Sequence, residues 1–150
     1  MNKFLIIAGP NVIESEDHTI NMAKKLKEIF NKFDNIDFVF KTSFDKANRT
    51  SVNSYRGLGF DEGLSILKKV KDITGLKVIT DVHESWQCEK VAEVVDIIQI
   101  PAFLCRQTDL IKEVAQTGKV VNVKKGQFLA PWEIENVIIK ITEEGNENIL

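Results

Sequence analysis

The run Lys77-Val78-Ile79-Thr80-Asp81-Val82, then Ser85-Trp86-Gln87-Cys88-Glu89-Lys90-Val91-Ala92-Glu93-Val94, then Asp96-Ile97-Ile98-Gln99-Ile100 decides the fold class. Its outer parts are short β-branched runs of strand length, and its middle carries apolar residues at helical spacing. Strand, helix and strand follow one another with no hairpin signal, and parallel neighbours need such a crossover. The same alternation extends both ways. Strands are expected at 4–8, 37–41, 77–82, 96–100 and 120–123, and helices at 15–33, 60–74, 85–94, 108–117 and 131–144. Ser15 and Thr108 are candidate N-caps, and Gly75 and Gly118 stand just past two helices, where a left-handed residue is favoured.

An α/β chain of this kind is either an open doubly wound sheet or a (β/α)8 TIM barrel. No Gly-rich dinucleotide fingerprint follows the first strand, and polar residues gather at the strand ends, which favours the barrel. A complete barrel takes about 250 residues. Here five βα units are expected within 150 residues, with Asn148-Ile149-Leu150 as the start of a sixth strand. The expectation is therefore one domain over 1–150, an incomplete barrel and the N-terminal part of a longer protein or a fragment, with open edges at its outer strands.

Composition narrows the function classes. At 43% hydrophobic and 28% charged the chain can build a core. A formal net charge of -2 supplies no basic field for nucleic acid or a membrane surface, so any anion site is local. Lys24-Lys25 and Lys68-Lys69 read as the wet faces of helices. Cys88 and Cys105 lie too far apart for a CxxC motif and read as reduced thiols of a cytoplasmic protein. The opening Met1-Asn2-Lys3 and its apolar run stop at Gly9-Pro10, too soon for a signal peptide, and no run approaches the roughly 18 apolar residues of a membrane span. His18 and His83 lack metal-ligand spacing and take surface or supporting roles, while Trp86 and Trp132 read as packing residues at helix starts.

Active sites of parallel barrels form at the C-terminal ends of the strands. Every unit has a polar group there: Asn11 after the first strand, Lys41 and Ser43 at the second, Asp81 at the third, Gln99 in the fourth, Asn122 and Lys124 at the fifth. Alternation puts Val39, Lys41 and Ser43 on one face, as it does Ile97 with Gln99 and Asn122 with Lys124. A single lysine at a strand end is ordinarily a solvated boundary residue; five coincident units are harder to explain so. Gln99, between Ile98 and Ile100, needs a partner, because an unpaired buried amide costs about 1–3 kcal/mol; a ligand or a neighbouring lysine is expected. The loop 44–59 is long and contains Asp45-Lys46-Ala47-Asn48-Arg49-Thr50-Ser51, whose cations, amide and hydroxyls can wrap a phosphate.

Five motifs in order, Gly9-Pro10-Asn11-Val12-Ile13-Glu14-Ser15, the stretch 41–51, Thr80-Asp81-Val82-His83-Glu84, Gln99-Ile100-Pro101-Ala102-Phe103-Leu104-Cys105-Arg106-Gln107-Thr108-Asp109 and Asn122-Val123-Lys124-Lys125-Gly126-Gln127-Phe128, resemble the 3-deoxy-manno-octulosonate 8-phosphate synthases. The resemblance implies condensation of phosphoenolpyruvate with arabinose 5-phosphate, a step toward the Kdo sugar of lipopolysaccharide. Lys41, Ser43, Lys46, Gln99, Ala102 and Lys124 would hold phosphoenolpyruvate, and Asn48, Arg49, Thr50, Phe103 and Arg106 the sugar phosphate. Asn11, Lys46 and Asp81 would be catalytic. Phe103 and Arg106 resemble the loop that meets a neighbouring subunit, which implies a homo-oligomer, a homotetramer at full length. The rival is the 3-deoxy-arabino-heptulosonate 7-phosphate synthases, which carry Lys-Pro-Arg where Ala47-Asn48-Arg49 stands; a catalytically inactive half-barrel is the other alternative. Members with cysteine after Gly-Pro need a metal and members with asparagine do not. Asn11 therefore implies no metal and no other cofactor, an amide being a poor transition-metal ligand beside a thiolate.

Overall fold

The computed structural model describes residues 3–150, so Met1 and Asn2 lie outside the described residues. Strands and helices alternate: β1 (Phe4–Ala8), α1 (Glu16–Phe30), β2 (Ile36–Lys41), α2 (Phe60–Thr74), β3 (Lys77–Asp81), α3 (Cys88–Val94), β4 (Ile97–Ile100), α4 (Thr108–Gln116), β5 (Val120–Val123) and α5 (Glu135–Thr142). This is the βα repeat of the (β/α)8 class, five units of it. The chain comprises two compact units, 1–80 and 81–150, the boundary falling inside β3.

In the first unit β1 pairs in parallel with β2, Phe4 opposite Ile36 through Ala8 opposite Phe40, and β2 with β3, Val39 opposite Lys77 through Lys41 opposite Ile79. Val39, Phe40, Val78 and Ile79 are fully buried with Leu67 and Val70 of α2. Burial of each such side chain stabilises by about 1.5–3 kcal/mol. α1 starts where Ser15, in extended conformation, accepts a hydrogen bond from the His18 amide at 3.2 Å, and Glu16 and Asp17 complement the helix dipole. Lys27, in the last turn of α1, donates to the Thr74 carbonyl at 2.5 Å and ties the ends of α1 and α2 together. Gly75 closes α2 with φ 66, a left-handed C-cap.

In the second unit β4 pairs in parallel with β5, Ile97 opposite Val120 through Ile100 opposite Val123. Past α5 the chain returns to the edge of β5. Ile149 bridges Val121 in parallel, and the Leu150 amide donates to the Val121 carbonyl at 2.9 Å. Leu110, Ile111, Val114 and Ala115 form the buried stripe of α4.

Several boundaries differ from expectation. The first turns of the third and fifth helical segments are 3-10, Ser85–Gln87 and Pro131–Ile134. Thr108 is not a cap: Gln107 precedes the helix in extended conformation, and the Thr108 hydroxyl accepts from Lys140 at 2.7 Å instead. Trp86 and Trp132 do start helical segments, but they are 61% and 76% exposed, because the first-turn positions they occupy face outward.

Candidate active site

In the first unit the candidate groups collect where β2 ends. Lys41 is its last residue, and alternation returns Ser43 to the same side. The Lys41 ammonium donates to Ser43 Oγ at 2.5 Å and the Lys46 ammonium donates to the same oxygen at 2.9 Å. Ser43 is fully buried, and its two lone pairs accept both bonds. Two cations converging on one buried hydroxyl make a local positive centre on a chain whose net charge is negative. Gly9 lets the end of β1 approach, since a β-carbon there would run into the Lys41 carbonyl. Asn11, two residues on, is exposed.

The loop 44–59 closes at its neck. The Lys46 amide donates to the Arg56 carbonyl at 2.7 Å and the Gly59 amide to the Phe44 carbonyl at 3.2 Å. Arg56 and Asp45 form a bidentate ion pair, with Arg56 Nε to Asp45 Oδ1 at 2.8 Å and a second bond from Nη2 to Oδ2. A compact loop whose ends meet in this way is an Ω-loop. Its tip carries Asn48, Arg49 and Thr50, all exposed. Arg49 Nε donates to the Tyr55 carbonyl at 3.2 Å, and the Tyr55 hydroxyl donates to the Ile13 carbonyl at 3.0 Å, which fixes the stem of Arg49.

In the second unit Asp81 is buried, with Oδ2 at 3.1 Å from His83 Nε2. The buried Gln87 side chain holds that turn, its Oε1 accepting from the His83 amide at 2.8 Å and from the Glu84 amide at 3.2 Å. Gln99 finds its partner across the β4–β5 rung: Asn122 Nδ2 donates to Gln99 Oε1 at 3.1 Å, where a ligand or lysine was expected. Ala102 opens the 3-10 turn Ala102–Leu104, against which Gly126 packs; the Gly126 amide donates to Cys105 Sγ at 3.3 Å. Phe103, Arg106 and Lys124 are exposed.

The structure therefore brings together Lys41, Ser43 and Lys46 in one unit, and in the other Asp81 with His83 and Gln99 with Asn122. It leaves Asn11, Asn48, Arg49, Thr50, Phe103, Arg106 and Lys124 exposed. The supporting role expected of His83 has Asp81 as its partner, which the sequence reading did not name although a spacing of two at a strand end points to it. The cleft lined by Glu89, Glu93, Glu113, Gln116 and Lys119 has three carboxylates to one lysine and is unsuited to a phosphorylated ligand.

Cys88 is a packing residue. It is 1% exposed, and burial, helped by the Glu113 carboxylate, pushes its thiol up to about 12. Iodoacetamide at pH 8 is expected to alkylate Cys88 about a thousandfold more slowly in the folded protein than in urea, read by peptide mass spectrometry. The sign for stability follows from the raised value. The buried neutral thiol stabilises the fold fully below pH 9, and that contribution is lost as pH rises from about 9 toward 12.

Comparison with known proteins gives the same direction throughout. The chain is 55% identical over 148 residues to the 2-dehydro-3-deoxyphosphooctonate aldolase of Fusobacterium nucleatum, covering 99% of this chain and 53% of that protein. It is 57% identical over 147 residues to the enzyme of that name from Rickettsia canadensis, covering 98% of this chain and 53% of that protein. It is 60% identical over 147 residues to 2-dehydro-3-deoxyphosphooctonate aldolase 1 of Arabidopsis thaliana, covering 98% of this chain and 50% of that protein. The chain thus spans about half the length of the curated relatives it matches. The family model described as the DAHP synthetase I family matches residues 1–150, and with parallel βα units and polar strand ends beneath that match, the chain belongs to the DAHP synthetase I family.

Proposed function

We propose that this chain serves an enzyme that condenses phosphoenolpyruvate with arabinose 5-phosphate and water, giving 3-deoxy-manno-octulosonate 8-phosphate and inorganic phosphate. The observation that carries this reading is the convergence of the Lys41 and Lys46 ammonium groups on Ser43 Oγ at the C-terminal end of β2. Both substrates are anions, and preorganised cations in a shielded site stabilise them far more than cations in water do.

In this reading Lys41, Ser43 and Lys46 bind phosphoenolpyruvate. Asn48, Arg49 and Thr50 at the loop tip bind the sugar phosphate, Arg49 through a planar fork suited to phosphate. C3 of phosphoenolpyruvate attacks the aldehyde carbon, water adds at C2, and phosphate departs with cleavage of the C–O bond. Lys46 donates a proton to the developing alkoxide, and Asp81 and Asn11 orient water and sugar. His83, bonded to Asp81 Oδ2, fixes that carboxylate.

The exposed Phe103 and Arg106 suit a homotetramer in which they reach a neighbour's site, and the reduced thiols suit the cytoplasm. No helix among the described residues is long and apolar enough to cross a membrane. Asn11 offers a neutral amide where a thiolate would bind a transition metal, so the reaction in this reading uses no metal or other cofactor.

The test is phosphate release from phosphoenolpyruvate by the complete enzyme. Release should require arabinose 5-phosphate and be unchanged by a chelator. Release with a four-carbon aldose phosphate in its place would overturn the sugar assignment in favour of the heptulosonate-type reaction, and loss with chelator would overturn the metal-free one.

A further inference from the structure

The Asp45–Arg56 pair is open to solvent on the arginine side, the Arg56 side chain being 56% and the Asp45 side chain 22% exposed, and such a pair contributes little to stability. Its place in the chain suggests another use. Asp45 lies between Ser43 and Lys46 in the chain, the two residues joined by the 2.9 Å bond, so a carboxylate is the direct sequence neighbour of Lys46. Both carboxylate oxygens are taken by Arg56, and the Lys46 amide is bonded to the Arg56 carbonyl, so Arg56 is fixed to both sides of the problem. A fork with two parallel bonds holds a carboxylate in one orientation, which a single lysine would not do.

Resting on the reading of the site given above, we infer that Asp45 and Arg56 are positioning residues: Arg56 occupies the Asp45 carboxylate so that it neither captures the Lys46 ammonium nor repels the incoming phosphorylated substrate. If Arg56 is lost, Asp45 becomes an intramolecular competitor for Lys46. If the charge of Asp45 is lost as well, the competition disappears. A structural brace behaves otherwise, since removing either half, or both, then has the same effect.

The experiment compares Arg56→Gln, Asp45→Asn and the double variant in the complete enzyme. Phosphoenolpyruvate affinity by calorimetry should fall about tenfold or more in Arg56→Gln, stay within about threefold of the parent in Asp45→Asn, and return to within about threefold in the double variant. Equal losses in all three, or no loss in Arg56→Gln, would overturn the inference. A second readout is independent of substrate: acylation of Lys46 by acetic anhydride, followed by mass spectrometry. It should slow in Arg56→Gln, where the freed carboxylate stabilises the ammonium, and recover in the double variant. A parent enzyme that fails to bind phosphoenolpyruvate would refute the functional reading, while the Lys46 reactivities would still decide the role of the pair.

Discussion

Lys46→Ala in the complete enzyme is expected to weaken phosphoenolpyruvate binding by about ten- to a hundredfold, the equivalent of losing one charge-assisted contact of about 1.5–3 kcal/mol. The turnover number should fall further, by about a hundredfold or more, because in the proposed reaction Lys46 also faces the charge that develops on the aldehyde oxygen. The lysine stands 2.9 Å from a fully buried hydroxyl, so its ammonium is already placed before substrate arrives. Truncation leaves Ser43 with Lys41 as donor, and the fold should be spared. Lys124→Ala is expected to lower the affinity at the weaker end of the same range, since Lys124 is exposed and in the proposed site would be ordered only by the ligand. Calorimetry and steady-state phosphate release measure both. Unchanged affinity in Lys46→Ala, with an unchanged melting temperature, would remove Lys46 from the binding set.

What was legible in the sequence was whatever depends on local period. β1 runs as expected because its apolar run ends at the breakers Gly9-Pro10, and Lys41 and Ser43 share a face because a spacing of two on a strand requires it. The need of Gln99 for a partner was legible as well. That the partner is Asn122 depends on parallel register, a relation between residues 23 positions apart that periodicity does not encode. Thr108 failed as a cap for a similar reason, its hydroxyl being claimed by Lys140 from α5. Trp86 and Trp132 misled because hydrophobicity signals burial only when the face is known, and a 3-10 first turn rotates that face. The Asp45–Arg56 pair was hidden too: nothing in an 11-residue separation within a loop announces closure at its neck.

Gly57→Ala should be strongly destabilising, by about 3 kcal/mol or more. Two separate effects add at this position. Gly57 has φ 122, a conformation that an L side chain adopts only with strain of about 1–3 kcal/mol. An added β-carbon would also drive into the carbonyl group of Phe44 and meet Val12 Cγ2 at 3.0 Å. Phe44 cannot easily withdraw, since it is fully buried and its ring packs edge-on against Phe60 with centroids 5.2 Å apart. The carbonyl in question accepts the Gly59 amide at the loop neck, so relief of the collision would open the neck and shift Ser43 and Lys46 with it. Gly75→Ala is the internal control. Gly75 has φ 66 but no atom within 4 Å of the added carbon, so it carries backbone strain alone, about 1 kcal/mol. Thermal unfolding should therefore lower the midpoint by roughly 6–12 °C for Gly57→Ala and by only about 2–4 °C for Gly75→Ala. Equal shifts would mean that the neck yields to the added carbon, and the rigidity that this geometry gives to Ser43 and Lys46 would then have to come from the strand end alone.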